Sequence, residues 1–315
     1  MRCQPTQNEP NLLAITEVLR MLRHTFLLAC AALLAGRTLA VGEDFARPPV
    51  WSDEVKSVFF DDAHAALVGS PPVAQAAAES ATVESRNVNW QQFIEAEALS
   101  TEVTRIVNNL AALTKNPAQF KAAKHNDARR ELTMLAALFG VIREYPDDVR
   151  WQPSAAAMEQ RCLQAAESCT VGSAESLAAV QETHALLEEL LRGQTVETSD
   201  NQVETAFPDF APLMQRMELA LKENLPVLLT KDREFRKRAI DVAHEAQLLA
   251  MLSQVIRGEE YGYADDETYQ SHADALRDSA TQLKAAASTQ DFAKAVQAAA
   301  AVSQSCANCH ADFRG

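Results

Sequence analysis

Glycine is scarce in this sequence, with nine in 315 residues, and so are the large aromatics, with three Trp and four Tyr. That scarcity, set against long Ala/Leu/Glu/Gln/Lys runs, favours helix over sheet and leaves no Gly-rich phosphate loop. Basic residues are outnumbered, 29 Lys and Arg against 43 Asp and Glu, for a net charge of −14. Such a balance argues against nucleic acid and against anionic membrane surfaces as partners. No nucleophile, base and orienting group stand together, so nothing indicates a hydrolase or any other enzyme. A long apolar run is missing as well: "FLLACAALLAG" (26–36) is too short to cross a bilayer.

What that short run does fit is an export signal. Arg23 lies before it and the small-residue "TLA" (38–40) after it, with Met21 as the expected true start. Residues 1–40 are therefore expected to be a signal peptide, and the mature protein to be periplasmic or otherwise exported and not embedded in a membrane. Cleavage after Ala40 leaves 25 basic and 41 acidic residues, a net of −16. It also leaves four of the six cysteines: Cys162, Cys169, Cys306 and Cys309.

Beyond residue 88 the chain repeats itself. "NNLAALTK" (108–115) returns as "ENLPVLLTK" (223–231), "ALFGVIREYPDD" (137–148) as "MLSQVIRGEEYGYADD" (251–266), and "AVQ" at 179–181 as "AVQ" at 295–297. An offset near 115 residues is the length of a domain and too long for a solenoid repeat. Each copy reads as four helices, near 89–115, 117–145, 152–168 and 173–193 in the first, and 208–230, 232–258, 266–286 and 289–313 in the second. Tyr269, Ala273, Leu276, Ala280 and Leu283 alternate steps of four and three, as do Trp151, Ala155, Met158, Cys162 and Ala165. Those are seams of antiparallel bundles. The expected fold is thus all-α, two tandem antiparallel four-helix bundles at 89–200 and 201–315, after a helical extension at 41–88 that includes an amphipathic stretch at 51–69. Ser288 and Asp291 read as a capping box for the last helix, and 193–205 as the linker.

The last helix ends in "SCANCHADFRG" (305–315), which contains C-x-x-C-H, the signature of covalent haem attachment. Residues three and four apart share a helix face, so Cys306, Cys309 and His310 can act on one group together. Periodicity groups Phe292, Val296, Ala299, Ser303, Cys306, His310 and Phe313 into one expected inward stripe. A zinc site would need about four ligands, and no second C-x-x-C or tight His pair is present.

The motif's place on the fourth helix of a bundle, within S-C-x-x-C-H-x-x-[FY]-[KR], resembles the cytochrome c prime family over residues 207–315. The resemblance implies one covalent haem c, with thioether links to Cys306 and Cys309, His310 as the proximal iron ligand and Arg314 on the proximal side. It also implies that the first helix of the bundle faces the other side of the haem. A Met there gives six-coordinate iron suited to electron transfer, whereas an apolar residue leaves iron open to a small gas such as NO or CO. That helix carries Met214 and Met217, and placing Pro226 where relatives often have proline puts Met214 at the axial position. His244 and His272 are further candidates on the second and third helices. The expected partners are accordingly a periplasmic redox protein or a small gas ligand. In the first copy Leu190 and Gly193 stand opposite Cys306 and Cys309, so that bundle is expected to be haem-free. Family members often pair through their first two helices, a role the tandem copy could fill internally. Cys162 and Cys169 would lie about 10 Å apart along one continuous helix, so they either bridge across a helix end or remain buried free thiols.

Overall fold

The computed structural model describes residues 88–197 and 207–314. The expected signal peptide, nearly all of the 41–88 extension and much of the expected linker lie outside the described residues. Among the described residues all regular structure is helical, as the composition demanded, and none of the helices is long and apolar enough to cross a membrane.

In the first half, α1 is Ala96–Leu113. α2 begins at Pro117–Gln119, passes through a π-helical turn at Phe120–Lys124 and continues as His125–Glu144. α3 is Ala155–Ser168 and α4 is Ala174–Leu191. Leu99, Val103, Ile106 and Leu110 recur at helical spacing on α1 and are all buried, which gives that helix its inward face. Local chemistry sets the helix starts. Asn116 accepts from the amides of Ala118 and Gln119, and Ser173 and Ser176 form a reciprocal capping box. Each of the four helices packs on two neighbours, so the bundle closes on itself. Leu187 and Leu190 of α4 are buried in it, and the Trp151 indole N–H donates to the Leu190 carbonyl at 3.1 Å. Leucine thus occupies core volume at the position that matches Cys306.

In the second half, α5 is Phe210–Leu219, followed by a π-helical turn at Ala220–Asn224 and one further turn at Leu225–Leu228. A short helix, Asp232–Lys237, leads into α6, Ala239–Val255. α7 is Glu267–Ser288 and α8 is Phe292–Phe313. α6, α7 and α8 pack closely in sequence, whereas α5 and α8 are not among the close helix pairs of the described residues. α5 instead packs on α6 and on α2 of the first half. The two halves share one compact unit and meet through their first two helices.

Three packing details recur in both halves. Phe120 and Phe235 are each fully buried at the base of the second helix. The Asn109 amide donates to Glu131 at 2.7 Å, and the Asn224 amide to Glu245 at 2.8 Å. The Tyr145 hydroxyl donates to the Ile94 carbonyl and the Tyr261 hydroxyl to the Pro208 carbonyl, at 2.9 and 3.0 Å, each tying down the residue two before the first helix.

Two expectations about α8 are corrected. Ser288 does not cap it: α7 runs through Ser288, whose hydroxyl donates to the Lys284 carbonyl. Gln290 then turns the chain at a φ of 54°, and Asp291 is itself the N-cap, accepting from the Lys294 amide at 3.1 Å. The inward stripe also differs. α8 buries Ala295, Ala298, Val302 and Ser305, one position earlier than predicted, a rotation of roughly 100°. Small residues let α8 approach α7 closely, while Phe292, Ala299, Cys306 and Phe313 of the predicted stripe are half-buried against the core. Val296 is left 43% exposed, and Ser303 and His310 are exposed too.

Cys162 and Cys169 are free and buried. α3 is unbroken from Cys162 to Ser168 and Cys169 is its C-cap, so the helix holds the two thiols apart.

Candidate functional site

The last two turns of α8 hold Cys306, Cys309 and His310 on neighbouring positions of one face. Both thiols are half-buried and unbridged, while the His310 side chain is exposed. Burial pushes the Cys306 thiol up to about 11, helped by the neighbouring Cys309. Burial also raises Cys309, with the Asp312 carboxylate adding to it. The two groups are therefore neutral thiols near pH 7. The Arg314 amide donates to the His310 carbonyl at 3.1 Å and closes the helix.

An aromatic wall stands beside these donors. Tyr269 of α7 stacks on Tyr263 at 4.9 Å between centroids, and Phe313 meets both rings edge-on at 5.3 and 5.4 Å. The Tyr269 hydroxyl donates to the Ile256 carbonyl at 3.1 Å, which satisfies it inside the protein and fixes the ring. His272 is engaged at one ring nitrogen. Its Nε2 lies 2.7 Å from the Asp312 carboxylate, and its ring meets Phe313 at 6.2 Å.

On α5 the structure separates the two methionines. Met217 is buried in the core, 4% exposed, whereas Met214 is half-buried at the edge. Glu218, one turn beyond Met214 and on the same face, identifies what that face looks toward. Its carboxyl is held below the usual range by a hydrogen bond from Lys222 and by that lysine's charge, with further contributions from Arg314 and His310. Met214 and Glu218 thus share the side of α5 on which the charges of Arg314 and His310 are felt.

His244 is engaged elsewhere, in a cluster of buried charges between the two halves. Its Nε2 lies 3.0 Å from Glu102. Glu102, wholly buried, also accepts from Arg105 at 2.8 Å twice and from Arg216 at 3.3 and 3.4 Å. Arg216 grips Glu245 through two further bonds of 2.9 and 3.2 Å. Arg105 reaches Glu131 at 3.2 Å. Sequence reasoning missed this cluster, although one signal was present: Glu102 and Arg216 interrupt otherwise apolar helix faces, Glu102 between Leu99 and Val103 or Ile106, and Arg216 between Leu213 and Met217.

Two thiols and an imidazole in C-x-x-C-H order at the end of the last helix are the pattern of covalent haem attachment. Residues 204–314, the C-terminal part of the chain, match the family model described as Cytochrome C'. Neither a curated protein nor a solved structure gives a significant match to the chain. The residues present fit a haem: two neutral thiols, an exposed imidazole within one turn of them and an aromatic wall.

Proposed function

We propose that the chain is an exported c-type cytochrome that carries one haem c and passes single electrons to or from a periplasmic redox partner. Cys306 and Cys309 would hold the haem covalently, His310 would ligate its iron, and Met214 would be the sixth ligand. The observation that carries this reading is the shared face of Cys306, Cys309 and His310 at an accessible helix end; Met214, half-buried on α5, supports the choice of sixth ligand. Bound haem supplies one-electron redox chemistry, whose potential follows from axial ligands, burial and hydrogen bonding. The protein's share is positional. Tyr269, Tyr263 and Phe313 would keep water from one side of the haem, Arg314 would place a positive charge beside His310, and the Asp312–His272 pair ties the end of α8 to α7. Leu190 and Gly193 provide neither thiol nor imidazole, which supports a single haem. The recurring Phe, Asn–Glu and Tyr contacts support an origin of the two halves by tandem duplication. Export rests on the leader-like residues 1–40 and agrees with the usual location of the family.

A second reading, a gas-binding haem protein for NO or CO, draws on one observation: Met214 is only half-buried, and α5 is not closely packed on α8. The absorption spectrum of the dithionite-reduced protein, taken before and after addition of CO, separates the two. A low-spin spectrum indifferent to CO supports the electron carrier. A high-spin spectrum that shifts with CO supports gas binding and removes Met214 as a strong ligand. No haem spectrum, from a host able to attach haem, overturns both.

A further inference from the structure

The first half contains no C-x-x-C-H, yet it supplies a residue that reaches the helix carrying Met214. α5 is only ten residues long and runs directly into the π-helical turn Ala220–Asn224. A π turn offsets the hydrogen-bond ladder by one residue and is a usual place for a helix to bend, so side-chain contacts on α5 itself help to set which way its faces point. That rotation matters, because it decides which side chain of α5 faces α8.

Arg216 is where α5 is gripped. It is 4% exposed, and its guanidinium is held on two edges. Glu245 of α6 takes Nη1 and Nη2 at 2.9 and 3.2 Å, while Glu102 of α1 takes Nε and Nη2 at 3.4 and 3.3 Å. A fork held on one edge can still pivot, whereas one held on both has a single orientation. Successive helical residues turn by about 100°, so Arg216 and Met214 point roughly 200° apart. Drawing Arg216 inward toward the first half therefore turns Met214 to the opposite side of α5. Glu218 lies about 200° from Arg216 in the opposite sense, shares Met214's side, and senses His310 and Arg314. The start of α5 is tied to the same half, since its N-cap Asp209 pairs with Arg129 of α2. Glu102 is fixed in turn by Arg105 of its own helix and by His244 of α6.

We infer that Glu102 is a positioning residue for the haem site: through Arg216 it sets the rotation of α5 and so holds Met214 toward the His310 helix. The haem-free half is then part of the site's construction, a scaffold that decides the sixth ligand without touching it. This inference rests on Met214 as the sixth ligand.

The test uses the full-length haem-loaded protein and reads the reduced spectrum with and without CO. Glu102→Gln keeps the shape of the side chain and leaves Arg216 paired with Glu245 and Arg105 with Glu131. Three variants accompany it. Met214→Ala reports what loss of the ligand looks like. Gln247→Ala removes a different contact between the halves, the 2.8 Å bond from the Glu95 amide, which does not pass through α5. Arg216→Lys keeps the buried charge but removes the fork, and replaces Glu102→Gln if that variant does not accumulate. The expected result is that Glu102→Gln and Arg216→Lys take on the CO-sensitive spectrum of Met214→Ala, while Gln247→Ala keeps the wild-type spectrum. If Met214→Ala changes the spectrum and neither Glu102→Gln nor Arg216→Lys does, the inference is overturned and the sixth-ligand reading stands. If Gln247→Ala changes the spectrum as much as Glu102→Gln, the effect is general loosening and the inference is likewise overturned. If Met214→Ala is itself without effect, the sixth-ligand reading has failed, and the inference goes with it.

Discussion

The Arg216 guanidinium of the second half lies 3.3 Å from the Glu102 carboxylate of the first, with both side chains shut away from water. Burial by itself would raise the Glu102 carboxyl. Hydrogen bonds from Arg105 and His244, with the nearby charge of Arg216, instead hold it well below its ordinary value of 4.5. A carboxylate whose folded-state pKa is depressed stabilises the fold above its unfolded pKa, and that stability is lost as pH falls below it.

Acid should therefore weaken the contact between the halves. Urea unfolding followed between about pH 6 and pH 3 is expected to show stability falling with pH, with a shallower fall in Glu102→Gln because the titrating group is gone. At neutral pH the variant should be less stable by roughly 3–5 kcal/mol, the usual effect of removing one partner from a buried ion pair. An identical pH slope in the two proteins would show that Glu102 does not report this linkage.

Covalent attachment is checked on the denatured chain. The double change Cys306→Ala with Cys309→Ala is expected to abolish haem staining after denaturing electrophoresis, whereas Cys162→Ala with Cys169→Ala should leave it intact. The second pair should still lower stability, by about 1 kcal/mol per site, because both thiols sit in the core. Haem retained by the first pair would mean that the motif is not the point of attachment.

Much of the fold could be read from periodicity. Tyr269, Ala273, Leu276, Ala280 and Leu283 are all buried as their spacing required, and so are Trp151, Ala155, Met158, Cys162 and Ala165. That Cys306, Cys309 and His310 share a helix face could be read because their spacing is local to one helix turn. The rotation of α8 could not, because an Ala-rich helix offers several faces of similar hydrophobicity and the choice depends on how closely α7 can approach. The charge cluster was invisible for the opposite reason. Charge at a core position counts against burial unless its partners are known, and Glu102, Arg216 and Glu245 lie more than a hundred residues apart in the widest pairing. Nothing in the pattern of one segment says which other segment will neutralise it.

The two methionines of α5 should behave differently. Met214→Ala is expected to change the reduced spectrum and its response to CO with little effect on unfolding, since the side chain is only half-buried. Met217→Ala is expected to leave the spectrum unchanged and to destabilise by roughly 2–5 kcal/mol, the range for truncating a buried methionine. The reverse pattern would reassign the ligand to Met217 and require α5 to rotate from its present orientation.

Removing the first half tests how far the second depends on it. Residues 201–315 retain the motif and all four helices of their half, but they lose the face that α2 presents to α5 and the carboxylate that Glu102 presents to Arg216. A buried guanidinium left with one partner, beside newly exposed apolar surface, has two ways to recover. It can admit water and loosen α5, or the exposed faces of α5 and α6 can pair with those of a second copy. The fragment is therefore expected either to unfold at a lower temperature than the full chain or to sediment as a dimer. Pairing is the outcome to expect at high concentration, because the lost surface came from helices one and two of a similar bundle. A fragment that remained monomeric, melted with the full chain and kept its CO response would show that the contact between the halves contributes nothing to the site.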